Sequence, residues 1–150
     1  MSLIQTPEQL ADAIRNDPQR VAECLHRINR FGGQARSCDV LQHSLEVYRR
    51  LNHGPANVRL WGLLHDCHEI ITGDVVRPWA GEWLTHQQSE IDSRLRKDLG
   101  ITLTAGDVIA VRAADMDAGN YELERMRTGE KVYPNVLAVA VWCNQLKELF

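Results

Sequence analysis

Residues 56–74 read ANVRLWGLLHDCHEIITGD. Val58, Trp61, Leu64 and Ile70 recur at helical spacing, so the stretch predicts one helix from Ala56, closed by Gly73 as a left-handed cap. Inside it, Leu63-Leu64 and Ile70-Ile71 bracket His65, Asp66, His68 and Glu69. Ionisable groups on a core-facing helix are costly to bury unless they are paired or bind a metal.

The punctuation on either side is also helical. Thr6-Pro7-Glu8-Gln9 combines a capping box with proline at the first helical position, predicting a helix to Asn16. Asp17-Pro18 starts a second, with Val21, Cys24, Leu25 and Ile28 on one face and Phe31-Gly32-Gly33 as its stop. A third starts near Ser37 or Asp39 and carries Val40, Leu41, Leu45 and Tyr48 to Leu51. Residues 75–83 read as irregular, with Pro78 and Gly81. Thr85-His86-Gln87-Gln88 reads as a capping box for a helix ending at Gly100, and Asp107 begins a longer one reaching Thr128-Gly129. Pro134 opens a last apolar helix, and only Ile101 to Leu103 reads as an ambiguous strand-like piece. The expected fold is all-α, a single compact bundle of about seven helices over residues 1–150.

Composition removes several function classes. The net charge is -3, with no basic arm, which argues against a non-specific duplex nucleic-acid binder. No apolar run approaches the ~20 residues that span a bilayer, and the opening residues carry no signal-peptide pattern. Cys24, Cys38, Cys67 and Cys143 are scattered without a CxxC pair, so neither a disulfide framework nor a zinc ribbon is expected and a cytoplasmic setting is.

His65 and Asp66 leave an α-helix about 100° apart, so both reach one ion only if it lies beside the helix in a shared groove. Two more ligands must then come from neighbouring helices. His43 lies mid-helix among Leu41, Leu45 and Val47. Asp115 lies on the stripe Val108, Val111, Asp115, Ala118, with Asp117 as the competing carboxylate. Two imidazoles and two carboxylates suit Mn²⁺, Co²⁺, Fe²⁺, Zn²⁺ or Mg²⁺.

The order His43, His65-Asp66, Asp115 resembles the H…HD…D signature of the HD-domain phosphohydrolases. Gln42-His43-Ser44-Leu45, the run from His65 to Asp74 (similar to HDxxExxxGD, followed by Pro78) and Arg30-Phe31 look like the family's small nucleotidase branch. The likeness covers residues 29–122 and implies an HD-domain bundle in which His43, His65, Asp66 and Asp115 hold one divalent cation. It implies that Glu69 positions or deprotonates the attacking water, or handles the leaving-group proton. Asp74 would assist substrate or proton transfer, Arg30 and Arg36 would pair with phosphate, and Phe31 would pack against sugar or base. The expected activity is phosphate release from (deoxy)nucleotides, monophosphates first. The alternatives are a dATP-type triphosphate hydrolase of phage kind, a phosphohydrolase acting on non-nucleotides, or a silent nucleotide-binding module. The family tendency to self-associate implies a homodimer or larger assembly, to which the last helix and Trp142 could contribute.

Two departures qualify the likeness. Ala80 stands where the branch commonly has lysine, leaving a phosphate contact to Arg77 or to nothing. Ile70 replaces the acid of the HDxxED version found in alarmone hydrolases. His68 and His86 are the histidines between HD and the final aspartate, fewer than two-metal relatives usually carry, so one metal is expected. His26 and His53 read as surface residues and Cys67 as a small core residue, while Trp79 and Trp83 lie in a loop that could close over a substrate.

Overall fold

The structure, a computed structural model, describes residues 2–76, 78–134 and 137–150. The chain folds into α1 (Pro7–Asn16), α2 (Pro18–His26), α3 (Val40–Arg50), α4 (Ala56–Leu64), the one-turn α5 (Glu69–Thr72), α6 (Glu82–Leu99), α7 (Ala105–Arg127) and α8 (Ala138–Leu149). Seven of these have nine or more residues, and no strand occurs among the described residues. The all-helical bundle therefore matches the expectation. None of its helices is long and apolar enough to cross a membrane, among the described residues.

Capping accounts for most of the boundaries. Thr6 accepts from the Gln9 amide and the Gln9 side chain returns to the Thr6 N–H, the reciprocal box read from the sequence. Asp39 and Gln42 do the same at the start of α3, deciding for Asp39 over Ser37. Thr104 and Asp107 form a third box, so Asp107 is the third residue of α7 rather than its opening. The piece at Ile101 to Leu103 is the irregular approach to that cap, not a strand. α6 starts at Glu82, ahead of Thr85, whose hydroxyl donates to the Gly81 carbonyl inside the first turn. It closes at Gly100 in the left-handed conformation, as expected. α2 stops at His26, short of Ile28, and α8 starts at Ala138, beyond Pro134.

α3 is the central element, packing against α2, α4, α7 and α8, while α1 lies on α2 and α6. Leu10, Ile14, Val21, Leu25, Leu41, Leu63, Leu64 and Leu95 are fully enclosed where these helices meet. Trp142 is also fully buried, and its indole N–H donates 3.2 Å to the Leu63 carbonyl. It is a core residue of the monomer, which removes it from any contact between subunits. α7 is the exception to apolar packing: Ile109 and Met116 face outward, while a glutamate, Glu122, is completely buried.

The predicted single helix from Ala56 to Gly73 is broken. α4 ends at Leu64, and the chain tightens through the turn 65–68 before α5. Cys67 N–H bonds back to Leu64 O at 3.0 Å, Glu69 to Asp66 at 3.0 Å and Ile70 to Cys67 at 3.1 Å, all three residues back rather than four. Three residues per turn eclipse positions i and i+3. Asp66 and Glu69 are thus stacked. Gly73 has φ 78° but ψ 168°, so it does not form the left-handed cap. It turns the chain outward in a region open to glycine.

Candidate metal centre

α3 brings His43, the tightened turn after α4 brings His65 and Asp66, and α7 brings Asp115. One ligand atom from each lies within 4.8 Å of the others. His43 Nε2 is 2.7 Å from Asp115 Oδ1 and 3.6 Å from Asp66 Oδ2. His65 Nε2 is 3.2 Å from Asp66 Oδ2 and 3.5 Å from Asp115 Oδ1. Asp117 is exposed and lies outside this group, so the geometry selects Asp115.

Each imidazole is anchored from behind. His43 Nδ1–H donates 2.8 Å to Glu122 Oε2, and His65 Nδ1–H donates 2.8 Å to the Gly62 carbonyl. Holding Nδ1 in this way directs Nε2 of both rings at the two carboxylates, the arrangement that orients a metal-ligating histidine. His65 Nε2 is fully buried and makes no hydrogen bond, despite its nearness to two carboxylates. An orphaned basic nitrogen beside two carboxylate oxygens fits a divalent cation of the N/O-binding type.

Glu122 was not anticipated, and it organises the site. It is completely buried and accepts from His43, from the Tyr133 hydroxyl at 2.8 Å, and from Arg30 Nε and Nη2, both at 3.0 Å. A buried carboxylate needs this many partners to be tolerated. Its signal was in the sequence: it continues the stripe Val111, Asp115, Ala118 by one more step of four.

Arg30 holds its third nitrogen, Nη1, 4.0 Å from Asp66 Oδ2. Its guanidinium lies 5.1 Å from the ring centre of Phe31. Phe31, at φ 55°, is half-buried against the small cluster of Ala35, Cys38 and Val132, beneath the arginine. Arg36 is not gathered into the cluster. It is exposed and donates 3.2 Å to the Gly129 carbonyl beyond α7, tying two loops together.

Glu69 Oε2 is buried and without a partner. Burial, with Asp66 and Asp74 nearby, pushes the Glu69 carboxyl up to about 10. Asp74 is half-buried; burial raises it and Arg30 opposes the rise. His68 Nδ1 is 2.8 Å from Asp92, a second partner the sequence reading missed. Cys67 is fully enclosed, and burial holds its thiol well above the usual range, so it is a core residue and not a nucleophile. His86 is exposed and lies outside the cluster, as does His53, while exposed His26 pairs with Asp39. Trp79 and Trp83 are 84% and 75% exposed, which leaves both indoles free to meet another molecule. Arg77, the possible phosphate contact, lies outside the described residues.

The charges set a pH dependence for protein stripped of divalent cations. Burial opposes protonation of His43 and His65, but Asp115, Glu122 and Asp66 outweigh it and raise both imidazoles above 6.5. A raised folded-state value contributes stability below the unfolded value and loses it as pH rises. Glu69, ordinarily near 4.5, acts in the same direction up to about 10. Burial also disfavours the charged carboxylates of Asp66 and Asp115, but the histidines override it and depress both below 3.8, protecting the acid side. Chelator-treated protein should therefore be most stable near pH 4, lose stability as pH rises above about 4.5 and more steeply above 6.5, whereas added cation should stabilise it increasingly as pH rises. Urea melts at pH 5.5 and 8.0 measure this, and a chelated protein more stable at pH 8.0 contradicts it.

No family model matches the chain, and no curated protein matches its sequence.

Proposed function

We propose that this chain is a metal-dependent phosphohydrolase of the HD kind, releasing phosphate from (deoxy)nucleotides and acting first on nucleoside monophosphates. The observation that carries the reading is the convergence of His43, His65, Asp66 and Asp115, with both imidazoles fixed through Nδ1. The order of these residues along the chain supports the HD assignment, and with it a divalent cation held by these four.

A divalent cation bound there would supply charge for a phosphoryl oxygen and an acidified water. The remaining steps belong to the protein. Glu69 presents its buried carboxyl beside the ligands, where it positions the attacking water or handles the proton of the leaving oxygen. Arg30 is locked by Glu122 through Nε and Nη2, which leaves Nη1 to offset charge on the phosphate. Asp74 adds a carboxylate at the same edge, under the influence of Arg30 and Asp66. The free thiols support a reducing, cytoplasmic setting. Self-association, if it follows the family habit, must use a surface other than Trp142.

A phosphate-release screen of nucleoside mono-, di- and triphosphates with Mn²⁺, Co²⁺, Zn²⁺ and Mg²⁺ tests the reading. Turnover of monophosphates is expected. Turnover of triphosphates alone would shift the reading to the phage-type activity, and nucleotide binding without turnover would make the chain a signalling module. Hydrolysis of no nucleotide with any metal would overturn it.

A further inference from the structure

A second group of ligand atoms adjoins the first. One donor each from Asp66, His68 and Glu69 lies within 4.8 Å of the others, and Asp66 belongs to both groups. We propose that Asp66, His68 and Glu69 form a second, weaker divalent-cation site, so that the Asp66 carboxylate bridges two ions. The proposal rests on the reading of His43, His65, Asp66 and Asp115 as the first site.

Three observations support it. The first is the shape of His68. The imidazole is 8% exposed and its Nδ1 is held by Asp92, as Glu122 holds His43 and Gly62 holds His65. His65 and His68 are thus locked through Nδ1 with no hydrogen bond at Nε2 among the described residues, while His43 Nε2 lies 2.7 Å from Asp115 Oδ1 inside the first site. Anchoring of this kind is what a ligand histidine needs.

The second is Glu69. It is 7% exposed, and its Oε2 has no hydrogen-bond partner although it sits among polar groups. A buried oxygen left unsatisfied costs on the order of 1–3 kcal/mol. A cation shared with Asp66 and His68 removes that penalty.

The third is the division of Asp66 between its neighbours. Its contacts with His43, His65 and Arg30 all run through Oδ2, which leaves Oδ1 for the neighbouring group. Asp66, Glu69, Asp74 and Glu122 lie around Arg30, while Asp92 lies against His68 and Asp115 against His43 and His65, so carboxylates crowd both sides of the turn. Two carboxylates and one imidazole are a harder donor set than that of the first site, so Mn²⁺ or Mg²⁺ with water completing the shell suits it. Two ions sharing a carboxylate give phosphate a clamp for both the attacking and the leaving oxygen.

The test is a count of ions. Chelator-stripped protein of residues 1–150 is titrated with Mn²⁺ by calorimetry and by electron paramagnetic resonance. Two Mn²⁺ per chain are expected, with the signal turning from an isolated to an exchange-coupled form as the second binds. His68→Gln should bind one ion uncoupled, with the first-site affinity changed less than about tenfold. Asp92→Asn should keep the fold and weaken only the second ion, by about 10–100-fold. His43→Gln should instead lose the tight ion. A wild-type chain that binds a single ion, lost in His43→Gln and retained in His68→Gln, overturns the second site and leaves the first standing. A single ion lost in His68→Gln but retained in His43→Gln overturns both. Two ions that are never coupled also overturn the bridge.

Discussion

Asp66→Asn is expected to abolish phosphate release while leaving the protein folded. Asp66 stands at the centre of the cluster, 3.2 Å from His65 Nε2, 3.6 Å from His43 Nε2 and 4.0 Å from Arg30 Nη1. The amide has nearly the same volume, so packing is untouched. What is lost is a negative charge, and with it the strongest reason for a cation to stay. A Lewis-acidic ion contributes several kcal/mol of transition-state stabilisation, so its loss lowers turnover on the order of a thousandfold or more. His65 retains its hydrogen bond to Gly62, which holds the ring in place whether or not it is charged. Circular dichroism should therefore match the wild type, while calorimetry shows cation affinity reduced by at least two orders of magnitude. Unchanged turnover in the folded variant would remove Asp66, and the whole cluster, from the chemistry.

The parts of the fold that were legible in the sequence were those encoded locally. Thr6, Asp17, Asp39 and Gly100 act within a turn of themselves, so their caps were readable without tertiary knowledge. The break at residues 65–68 was not, because α-helical and tightened turns share the same apolar spacing over so short a run. Only the three-back hydrogen bonds distinguish them, and those bonds stack Asp66 over Glu69. The cluster of candidate ligands was readable for a different reason: His43, His65-Asp66 and Asp115 interrupt apolar faces, and interruption is visible. Glu122 and Asp92 do so as well, but a carboxylate that anchors an imidazole is recognisable only once the ring it serves is beside it. Arg36 shows the converse. Its residue type suited phosphate, whereas its position on the far side of the 31–37 loop gave it to Gly129.

Replacing Glu122 should separate the architecture of the site from its ability to hold a cation. In Glu122→Ala, Arg30 keeps a largely buried positive charge without its fork, and the Tyr133 hydroxyl and His43 Nδ1–H lose their acceptor. Removing one partner of a buried ion pair costs about 3–5 kcal/mol, enough to lower the melting temperature of a domain this size by roughly 10 °C. Glu122→Gln is milder in stability and more telling in chemistry. Its oxygen can still accept from Arg30, but its NH₂ presents donors where Tyr133 and His43 require an acceptor. His43 then satisfies that NH₂ best by turning Nδ1 into the acceptor, which moves its proton to Nε2, the atom aimed at Asp115 and Asp66. A protonated Nε2 cannot ligate. Cation affinity should fall about 10–100-fold, with a melting temperature between those of the wild type and Glu122→Ala. Nitrogen-15 spectra of the imidazoles should show His43 with its proton on Nδ1 in the cation-loaded wild type and on Nε2 in the variant. If Glu122→Gln binds the cation as tightly as the wild type while Arg30 and Tyr133 are still held, Glu122 serves the fold alone and the orientation of His43 must come from the helix that carries it.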